Sequence, residues 1–497
     1  MYMYTGPVIR GWKGDLLALL AGGLIPLAFA PFYYYPIALL SLFLLLACWD
    51  GVSIKQAAWR GWLFGLGMFG VGVSWVFVAI HVFGHSSIFL AGLLTFAFVA
   101  ILSSYLALLG ALLKKITIGR FQPHDSLLLF PVGWLGFELF KAWFLSGFPW
   151  LEIGVSQIDG PLAGWVPVVG VNTVSLLVAF SSACLYVCLK HRQWFYLLPL
   201  ALIWISGPVL QQQEWTSPSG TPIKTSIIQG NVPQDIKWNS EQLMNTLTLY
   251  ENLTELHWDS DLVVWPENAL PAFYHQLNDF YLTPLQAKAR EHHTDILLGL
   301  PVLGKNGEDY YNSMMVLGAE KGFYHKQHLV PFGDYVPFAW LRGLIAFFNL
   351  PMSGFVPGNA GQELLKAAGQ SVGVSICYED VFSMEVLQAL PEANILVNAT
   401  NNAWYGDSFA PHQHFQISRS RALETGRPLV RATTNGISAL VDSKGRVEQQ
   451  TSQFEQATLT GEVQPREGET PYVAVKRWPL YILVLVMLLL FAVRRRQ

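Results

Sequence analysis

The segment VGVSICYED, residues 372–380, decides the fold of the second half of the chain. Apolar side chains alternate with small ones as far as Ile376, and this period of two predicts a β-strand. Cys377 follows where the strand gives way to a polar stretch. A sharp strand-to-helix turn at this point would hold the thiol clear of the sheet, as a nucleophile requires.

Two further segments place reactive side chains after a predicted strand. In VVWPEN, residues 263–268, a proline stops the strand and the carboxylate of Glu267 follows at once. In YHKQHLVPFGDYVP, residues 324–337, Lys326 precedes a loop broken by Pro and Gly. Acyl transfer through a thiol needs a base for the thiol proton and donors for the tetrahedral oxyanion. Glu267, Lys326 and Cys377 fit the roles of general base, oxyanion stabiliser and nucleophile.

The sequence around these segments predicts an α/β domain. Predicted strands cover residues 223–229, 261–265, 295–301, 312–317, 371–376, 395–398 and 438–442. Helix-like stretches cover residues 240–256, 284–292, 384–390 and 412–426. Strands that alternate with helices along a chain indicate a layered α/β fold.

The composition of the whole chain indicates a membrane protein. Of its 497 residues, 52% are hydrophobic and 13% are charged, and the mean hydropathy is +0.35. Soluble proteins carry about 25% charged residues. The net charge of −3 gives no sign of a nucleic-acid partner.

The apolar residues are concentrated in two regions that flank the α/β segment. A helix needs about 20 apolar residues to cross the hydrocarbon core of a bilayer. Candidate spans cover residues 14–31, 34–49, 61–81, 87–113, 126–145, 163–189, 194–210 and 478–493. We therefore predict three parts: a transmembrane bundle of about seven helices at 1–210, a catalytic domain at 211–471 and a final transmembrane helix at 472–497.

The basic residues between the spans predict the orientation of the chain. Cytoplasmic loops carry an excess of Lys and Arg. With eight spans, one side receives Arg10, Lys13, Lys55, Arg60, Lys114, Lys115, Arg120, Lys190, Arg192, Arg494, Arg495 and Arg496. The other side receives only Lys141, Lys476 and Arg477 near the span ends. This bias places both termini in the cytoplasm and the α/β domain outside, with the first span as an uncleaved anchor.

The four cysteines also separate Cys377 from the rest. Cys48, Cys184 and Cys188 lie within predicted spans, where cysteine usually serves as a small apolar residue. Cys377 is the single cysteine of the exterior domain and has no partner there for a disulfide. A lone thiol in an oxidising compartment favours a functional role.

Taken together and in order, the motifs resemble the nitrilase superfamily and its membrane-bound branch, the apolipoprotein N-acyltransferase family. They are SGFPW at 146–150, WPEN at 265–268, HKQHLVPFGDYVP at 325–337, SICYED at 375–380 and NATNNAWYGD at 398–407. The resemblance covers nearly the whole chain and implies an αββα sandwich carried by a polytopic α-helical membrane bundle. It implies that Glu267 is the base, Lys326 the oxyanion stabiliser and Cys377 the nucleophile.

The resemblance also implies supporting roles for four further residues. Tyr378 and Glu379 match positions that the family needs beside the thiol, and Trp404 matches a loop that shapes the pocket. Asp334 departs from the family pattern, which usually has Glu at this place. A shorter carboxylate could still reach the triad, so the role of Asp334 is open.

The reaction that the resemblance implies uses two lipid substrates and no cofactor or metal. An acyl chain would pass from a phospholipid, phosphatidylethanolamine, to Cys377 as a thioester. The acceptor would be the α-amino group of a diacylglyceryl-cysteine at the N-terminus of an apolipoprotein. The enzyme would lie in a bacterial inner membrane with its catalytic domain on the periplasmic face.

Other interpretations stay open on the sequence alone. A membrane-tethered amidase of the same chemistry would use water as the acceptor, and a transporter would need more charges in its spans than Glu138 and Lys141. These two residues could instead pair with each other. His412 and His414 could bind a metal, although a structural role is favoured. The apolar segment 338–351 predicts either a core helix or an arm on the bilayer, in which Trp340, Leu341, Phe347 and Phe348 would contact lipid.

Overall fold

The computed structural model describes residues 11–117, 121–336 and 354–496, which form two compact units. The first unit contains the described residues up to Phe77, then Ser87–Glu214, and the chain from Ala474 onward. The second unit contains Val78–Ser86 and Trp215–Val473. A short segment from the N-terminal half of the chain therefore belongs to the same unit as the α/β domain.

Helices account for the first unit and alternate with strands in the second. The longer helices are α1 (Trp12–Leu24), α2 (Pro36–Trp49), α3 (Ile54–Gly72), α4 (Ile88–Ile116), α5 (Phe130–Trp143), α6 (Val166–His191), α7 (Leu197–Gln211), α8 (Leu243–Glu255), α9 (Thr283–Glu291), α10 (Phe409–Thr425) and α11 (Trp478–Arg496). Short helical segments are Ile25–Ala28, Val76–Val78, Ala79–Phe83, Asp125–Leu129, Phe144–Ser146, Ile153–Gln157, Pro161–Trp165, Trp194–Tyr196, Ser240–Gln242, Tyr274–Leu277, Asn278–Leu282, Cys377–Val381, Ser383–Val386, Leu387–Ala389, Asn402–Tyr405 and Pro471–Val475.

Several helices are long and apolar enough to cross a membrane. Among the described residues these are Ile88–Ile116, Asp125–Ser146, Pro161–His191, Trp194–Gln211 and Trp478–Arg495. A sixth is added if the bent pair Ile54–Gly72 and Val76–Phe83 counts as one span. Helices α1 and α2 have 13 and 14 residues, fewer than the roughly 20 that a span needs. The eight spans and their orientation stay a prediction.

Glycines allow helices α1, α3 and α4 to pack with their backbones close together. A Cβ added at Gly22 would lie 1.9 Å from the carbonyl oxygen of Phe64, and one at Gly61 would lie 2.3 Å from that of Leu106. In a bilayer, where apolar surface gains nothing by leaving lipid, such close packing contributes directly to helix association.

Glu138 and Lys141 of α5 are fully buried and bind the chain that follows their helix. Glu138 Oε1 accepts hydrogen bonds from Trp134 Nε1 and from the backbone N–H of Ile153, both at 2.9 Å. Lys141 Nζ donates to the backbone carbonyl of Trp150. Both side chains therefore fix segment 150–153 within the first unit.

The second unit contains two six-stranded sheets and a two-stranded ribbon. The strands are β1 (Ser217–Pro218), β2 (Ile223–Gln229), β3 (Leu262–Val264), β4 (Asp295–Leu303), β5 (Tyr310–Leu317), β6 (Lys321–His325), β7 (Leu365–Ala367), β8 (Gln370–Ile376), β9 (Ile395–Thr400), β10 (Leu429–Thr433), β11 (Ala439–Val441), β12 (Val447–Gln450), β13 (Ala457–Val463) and β14 (Arg466–Glu467). One sheet has the order β13-β2-β3-β4-β5-β6, and the other has the order β12-β11-β10-β9-β8-β7. In each sheet three central strands are parallel: β2, β3 and β4 in the first, and β8, β9 and β10 in the second.

Alternating side chains on these strands build the predicted αββα sandwich. Ile227, Val264 and Val397 point into the core between the two sheets. On the neighbouring positions, Val263 and Ile228 pack against helices α8 and α9, and Leu396 joins the cluster around α10. The sandwich fold that the sequence predicts is confirmed, with apolar helices in the other unit.

Candidate active site

The topology brings the three predicted catalytic residues to one edge of the sandwich. Cys377 directly follows β8, Glu267 stands three positions after β3, and Lys326 directly follows β6. Strand β6 runs in the same direction as β4 because two antiparallel pairings separate them. Carboxyl-terminal strand ends form the usual binding edge of an α/β domain, and all three side chains lie there.

Cys377 occupies a strained turn that presents its thiol. Its φ is +53°, a left-handed conformation that costs a non-glycine residue about 1–3 kcal/mol. The strand ends at Ile376 and a 3₁₀ helix begins with Cys377, so the predicted strand-to-helix turn is present. The carbonyl oxygen of Cys377 accepts from Asn398 Nδ2 at 3.3 Å and lies 3.2 Å from His414 Nε2. These contacts hold the strained backbone in place.

The thiol of Cys377 is neutral near pH 7. Burial raises its pKa to about 12, and the carboxylate of Glu267 acts in the same direction. The ammonium of Lys326 opposes this shift without cancelling it. A neutral thiol can act as a nucleophile only if a base removes its proton during the attack.

The carboxylate of Glu267, the predicted base, is held by donors from three parts of the chain. Its Oε1 accepts from Asn312 Nδ2 at 2.7 Å and lies 3.4 Å from Lys326 Nζ. Its Oε2 accepts from the backbone N–H of Asn401 at 2.8 Å. Only 7% of the side chain is exposed, so these donors replace water around the carboxylate.

Lys326 is the cation of the site and is held by two carboxylates. Its Nζ lies 2.8 Å from Asp334 Oδ2 and 3.4 Å from Glu267 Oε1. Burial alone would lower the pKa of Lys326, but Asp334 and Glu267 raise it well above its ordinary value. The shorter carboxylate at position 334 therefore reaches the lysine, and Asp334 Oδ2 also accepts from the backbone N–H of Val330 at 2.7 Å.

Glu379 joins the strand end that carries Cys377 to the loop that carries Lys326. Its carboxylate accepts from the backbone N–H groups of Ile376 and Gln327, both at 2.6 Å, and of His328 at 3.2 Å. The hydroxyl of Tyr324 donates to it at 3.1 Å. Burial raises the pKa of Glu379 to about 7, although these backbone donors favour the ionised form. The side chain positions the two catalytic segments against each other.

Tyr378 and Trp404 pack beside the site. The ring of Tyr378 lies edge-on to that of Phe382, with centroids 5.2 Å apart. Trp404 meets Phe83 edge-on at 6.0 Å, and Phe83 belongs to the segment Val78–Ser86. Next to Trp404, burial raises the pKa of Tyr405, and the charges of the site act on the same phenol.

His414 belongs to a buried polar network beside Cys377, which agrees with the structural role that the sequence favours for it. His414 Nε2 lies 2.8 Å from Asp380 Oδ1, and Arg431 Nη1 lies 3.4 Å from Asp380 Oδ2. His412 instead contacts Gln453 at 3.1 Å. Among the residues that the structure describes, no three His, Cys, Asp or Glu side chains are grouped so that they could hold a metal ion.

The four predicted lipid-contacting residues, Trp340, Leu341, Phe347 and Phe348, lie outside the described residues. Asn312 and Asn401, which hold Glu267, were missed by the sequence analysis, as was Lys237 at the Glu267 carbonyl. Asn401 lies inside the NATNNAWYGD motif, so the motif contained a usable signal. Nothing in the local sequence distinguishes Asn312 or Lys237 from ordinary polar residues.

An αββα sandwich with a buried thiol, carboxylate and ammonium at its parallel strand ends defines a domain of the carbon–nitrogen hydrolase class. A family model described as Carbon-nitrogen hydrolase matches residues 224–472. A second, described as Apolipoprotein N-acyltransferase N-terminal domain, matches residues 21–184. The chain belongs to the apolipoprotein N-acyltransferase family.

Curated relatives named apolipoprotein N-acyltransferase match nearly the whole chain. The relative from Methylococcus capsulatus is 45% identical over 98% of this chain and 97% of its own length. The relatives from Azotobacter vinelandii and Pseudomonas aeruginosa PAO1 are each 44% identical over 98% of this chain, and the matches cover 96% and 97% of their lengths. The family and the apolar helices indicate an inner-membrane protein.

Proposed function

We propose that this enzyme transfers an acyl chain from a phospholipid, through a thioester on Cys377, to the N-terminal amine of a diacylated lipoprotein. The observation that carries the proposal is the buried ion pair of Glu267 and Lys326, 3.4 Å apart, beside a neutral thiol on a strained turn. The relatives that match the whole chain bear the name of a transferase that acts on apolipoproteins.

In the first half-reaction Glu267 accepts the proton of Cys377 as Sγ attacks the ester carbonyl of the donor lipid. The oxyanion of the tetrahedral intermediate is stabilised by the ammonium of Lys326 and by a backbone N–H of the turn after Cys377. The ester C–O bond then breaks, and the proton held by Glu267 passes to the departing alkoxide. The products are a lysophospholipid and an acyl thioester on Cys377.

In the second half-reaction the free α-amino group of the diacylglyceryl-cysteine attacks the thioester carbonyl. Glu267 accepts a proton from the attacking amine, and the same donors stabilise the second oxyanion. The C–S bond breaks, the thiol of Cys377 regains a proton, and the N-acylated lipoprotein leaves. No metal or cofactor takes part in either half-reaction, which together follow ping-pong order.

Both substrates are lipids, which agrees with a catalytic domain carried by a membrane protein. We assign phosphatidylethanolamine as the donor and place the catalytic domain on the periplasmic face, with both termini in the cytoplasm. Support for this orientation comes from the excess of Lys and Arg on one side of the predicted spans. The contact of Trp340, Leu341, Phe347 and Phe348 with donor acyl chains is part of the same proposal and rests on the sequence.

The hydrolytic alternative, with water as the acceptor, is not favoured. An amidase would release a fatty acid from the thioester, whereas the transferase needs an amine. The names of the relatives that match the whole chain support the amine acceptor.

The experiment supplies the purified full-length enzyme with phosphatidylethanolamine and a synthetic diacylated lipopeptide. We expect a lipopeptide that gains one acyl chain as an amide, with one lysophospholipid formed per chain. A lipopeptide whose N-terminus is acetylated serves as the matched control and should remain unchanged. Release of free fatty acid with both peptides would contradict the proposal, and equal use of phosphatidylglycerol would contradict the assigned donor.

A further inference from the structure

A second ammonium, that of Lys237, lies beside Glu267 and has no part in the reaction described above. Lys237 is only 1% exposed, and its Nζ donates to the backbone carbonyl of Glu267 at 3.2 Å. A buried lysine is rare unless a partner or a function compensates for the loss of its hydration. The presence of this buried lysine next to Glu267 therefore requires an explanation.

The loop after β2 contacts Glu267 directly through Lys237 and indirectly through Gln234, which binds a neighbour of the Glu267 carboxylate. Lys237 binds the carbonyl group, whereas Gln234 Oε1 accepts from Asn401 Nδ2 at 2.7 Å. The backbone N–H of the same Asn401 donates to Glu267 Oε2 at 2.8 Å. Both ends of Glu267, its backbone and its carboxylate, are thus supported from this loop.

We propose that Lys237 is a positioning residue for the general base: its ammonium fixes the backbone of Glu267 and favours the ionised form of the adjacent carboxylate. The inference rests on the proposed function, because it assumes that Glu267 accepts the thiol proton. The β2–α8 loop then contributes to the acid–base chemistry through a residue that lies outside the Glu-Lys-Cys triad.

The charges around Glu267 make this second cation effective. Lys326 faces the carboxylate from the end of β6, with Asp334 behind it, while Cys377 and Tyr405 approach from β8 and from the turn after β9. Glu267 and Asp334 both face Lys326, and the charge of Lys326 acts on Glu379 as well. A second cation beside Glu267 therefore adds to the positive charge that these carboxylates meet.

The state of Lys237 fits this role near neutral pH. Burial lowers its pKa to about 8, and the charge of Glu267 limits the decrease. Lys237 is therefore protonated in the range where a base of the acyl-transfer step has to be ionised. Removal of a cation beside a carboxylate favours the protonated acid, so loss of Lys237 should shift the onset of activity to higher pH.

The test measures the single-turnover rate of thioester formation by the full-length enzyme with phosphatidylethanolamine between pH 5 and 9. Three variants separate charge from hydrogen bonding: Lys237→Met loses both, Lys237→Gln keeps a donor without charge, and Lys237→Arg keeps both. We expect the acid limb of the profile to move up by about one pH unit in the Met and Gln variants and to stay in place in the Arg variant. Lys305→Met, at an exposed turn between β4 and β5, is the control.

The variants also keep the test decisive when one of them fails to fold. An acid limb that stays at the wild-type pH in Lys237→Gln, with or without a lower plateau, would overturn the proposal and leave Lys237 a purely structural residue. A limb displaced equally in the Arg and Gln variants would overturn it as well. Failure of the proposed function looks different, because the wild-type enzyme would then form no thioester at any pH.

Discussion

Two sets of buried Glu and Lys side chains occur in this chain, one in each unit, and their surroundings differ. In the helical unit, Glu138 and Lys141 each bind backbone groups of segment 150–153. In the sandwich, Lys326 binds two carboxylates, and one of these, Glu267, acts electrostatically on the thiol of Cys377. The residue types and the degree of burial are similar, but only the second set adjoins the thiol that we propose as the nucleophile.

A buried ionisable residue therefore does not by itself indicate a catalytic site. In the helical unit the charged groups bind the backbone, so we expect their loss to affect stability rather than the reaction. In the sandwich we expect the charge itself to be used, because the proposed reaction requires the thiol to lose a proton and an oxyanion to be stabilised. The predictions below test this difference by removing charges from each set.

Replacement of Glu267 is expected to have the largest effect. Glu267→Gln keeps the size of the side chain and removes its ability to accept a proton, so thioester formation should slow by about 10²–10⁴-fold. The matched variant Glu138→Gln should stay within about twofold of the wild type, because an amide oxygen can still accept from Trp134 and Ile153. Single-turnover rates with phosphatidylethanolamine measure both. Comparable losses of single-turnover rate in the two variants would show that the two sets do not differ in this way.

The pH dependence of alkylation tests the state of the thiol. With a pKa of about 12, Cys377 should react with iodoacetamide about 1,000-fold more slowly at pH 8 than an exposed cysteine. Its rate should still rise about tenfold per unit between pH 8 and pH 10, since the thiolate fraction grows throughout this range. Lys326→Met should slow alkylation further, because the ammonium lowers the pKa of the thiol. Peptide mass mapping follows the site, and a plateau near pH 9 would contradict this account.

Replacement of Asp334, which belongs to the same set, is expected to have a smaller effect on the rate of thioester formation. Asp334→Asn removes one of the two carboxylates that hold Lys326, and we expect thioester formation to slow by about tenfold. Asp334→Glu restores the charge and should recover most of the rate. If the Asn variant were as active as the wild type, Asp334 would have no part in placing the lysine.

The smallest effect on chemistry is expected from Lys141. Lys141→Met removes the hydrogen bond from Nζ to the carbonyl of Trp150, so the protein should lose about 1–3 kcal/mol of stability. The rate of thioester formation per folded molecule should remain within about twofold. Thermal unfolding followed by tryptophan fluorescence gives the first quantity, and single-turnover kinetics gives the second. A loss of rate as large as that of Glu267→Gln would place Lys141 in the chemistry.

Much of the sandwich is predictable from local pattern. The strand predicted at 223–229 is β2 with the same limits, and the strand predicted at 395–398 forms the larger part of β9. Strand β10 escapes prediction because Arg431 interrupts its apolar run, although this side chain is fully buried against Asp380 and Asn398. Strand β12 escapes because its sequence VEQQ is polar and largely exposed.

The site is predictable only as far as its strand ends. Glu267 and Cys377 each follow a strand that the sequence predicts, whereas β6, the strand before Lys326, is not among the predicted strands. The groups that hold Glu267 come from distant parts of the chain. Asn312 is 45 residues away, Asn401 is 134 residues away and Lys237 is 30 residues away. Asn312, Lys237 and Glu267 lie on or after strands of one sheet, whereas Asn401 follows a strand of the other sheet. Such contacts depend on strand pairing and on sheet packing, which no local periodicity encodes.

If Cys377 carries the acyl chain, intact mass spectrometry will detect that chain on the enzyme. Purified enzyme incubated with phosphatidylethanolamine alone should gain the mass of one acyl chain, which hydroxylamine releases and peptide mapping places on Cys377. Cys377→Ala should gain nothing, while Cys48→Ala, at a buried cysteine of α2, should load normally. Continued formation of lysophospholipid with no acyl adduct on the enzyme would contradict the account.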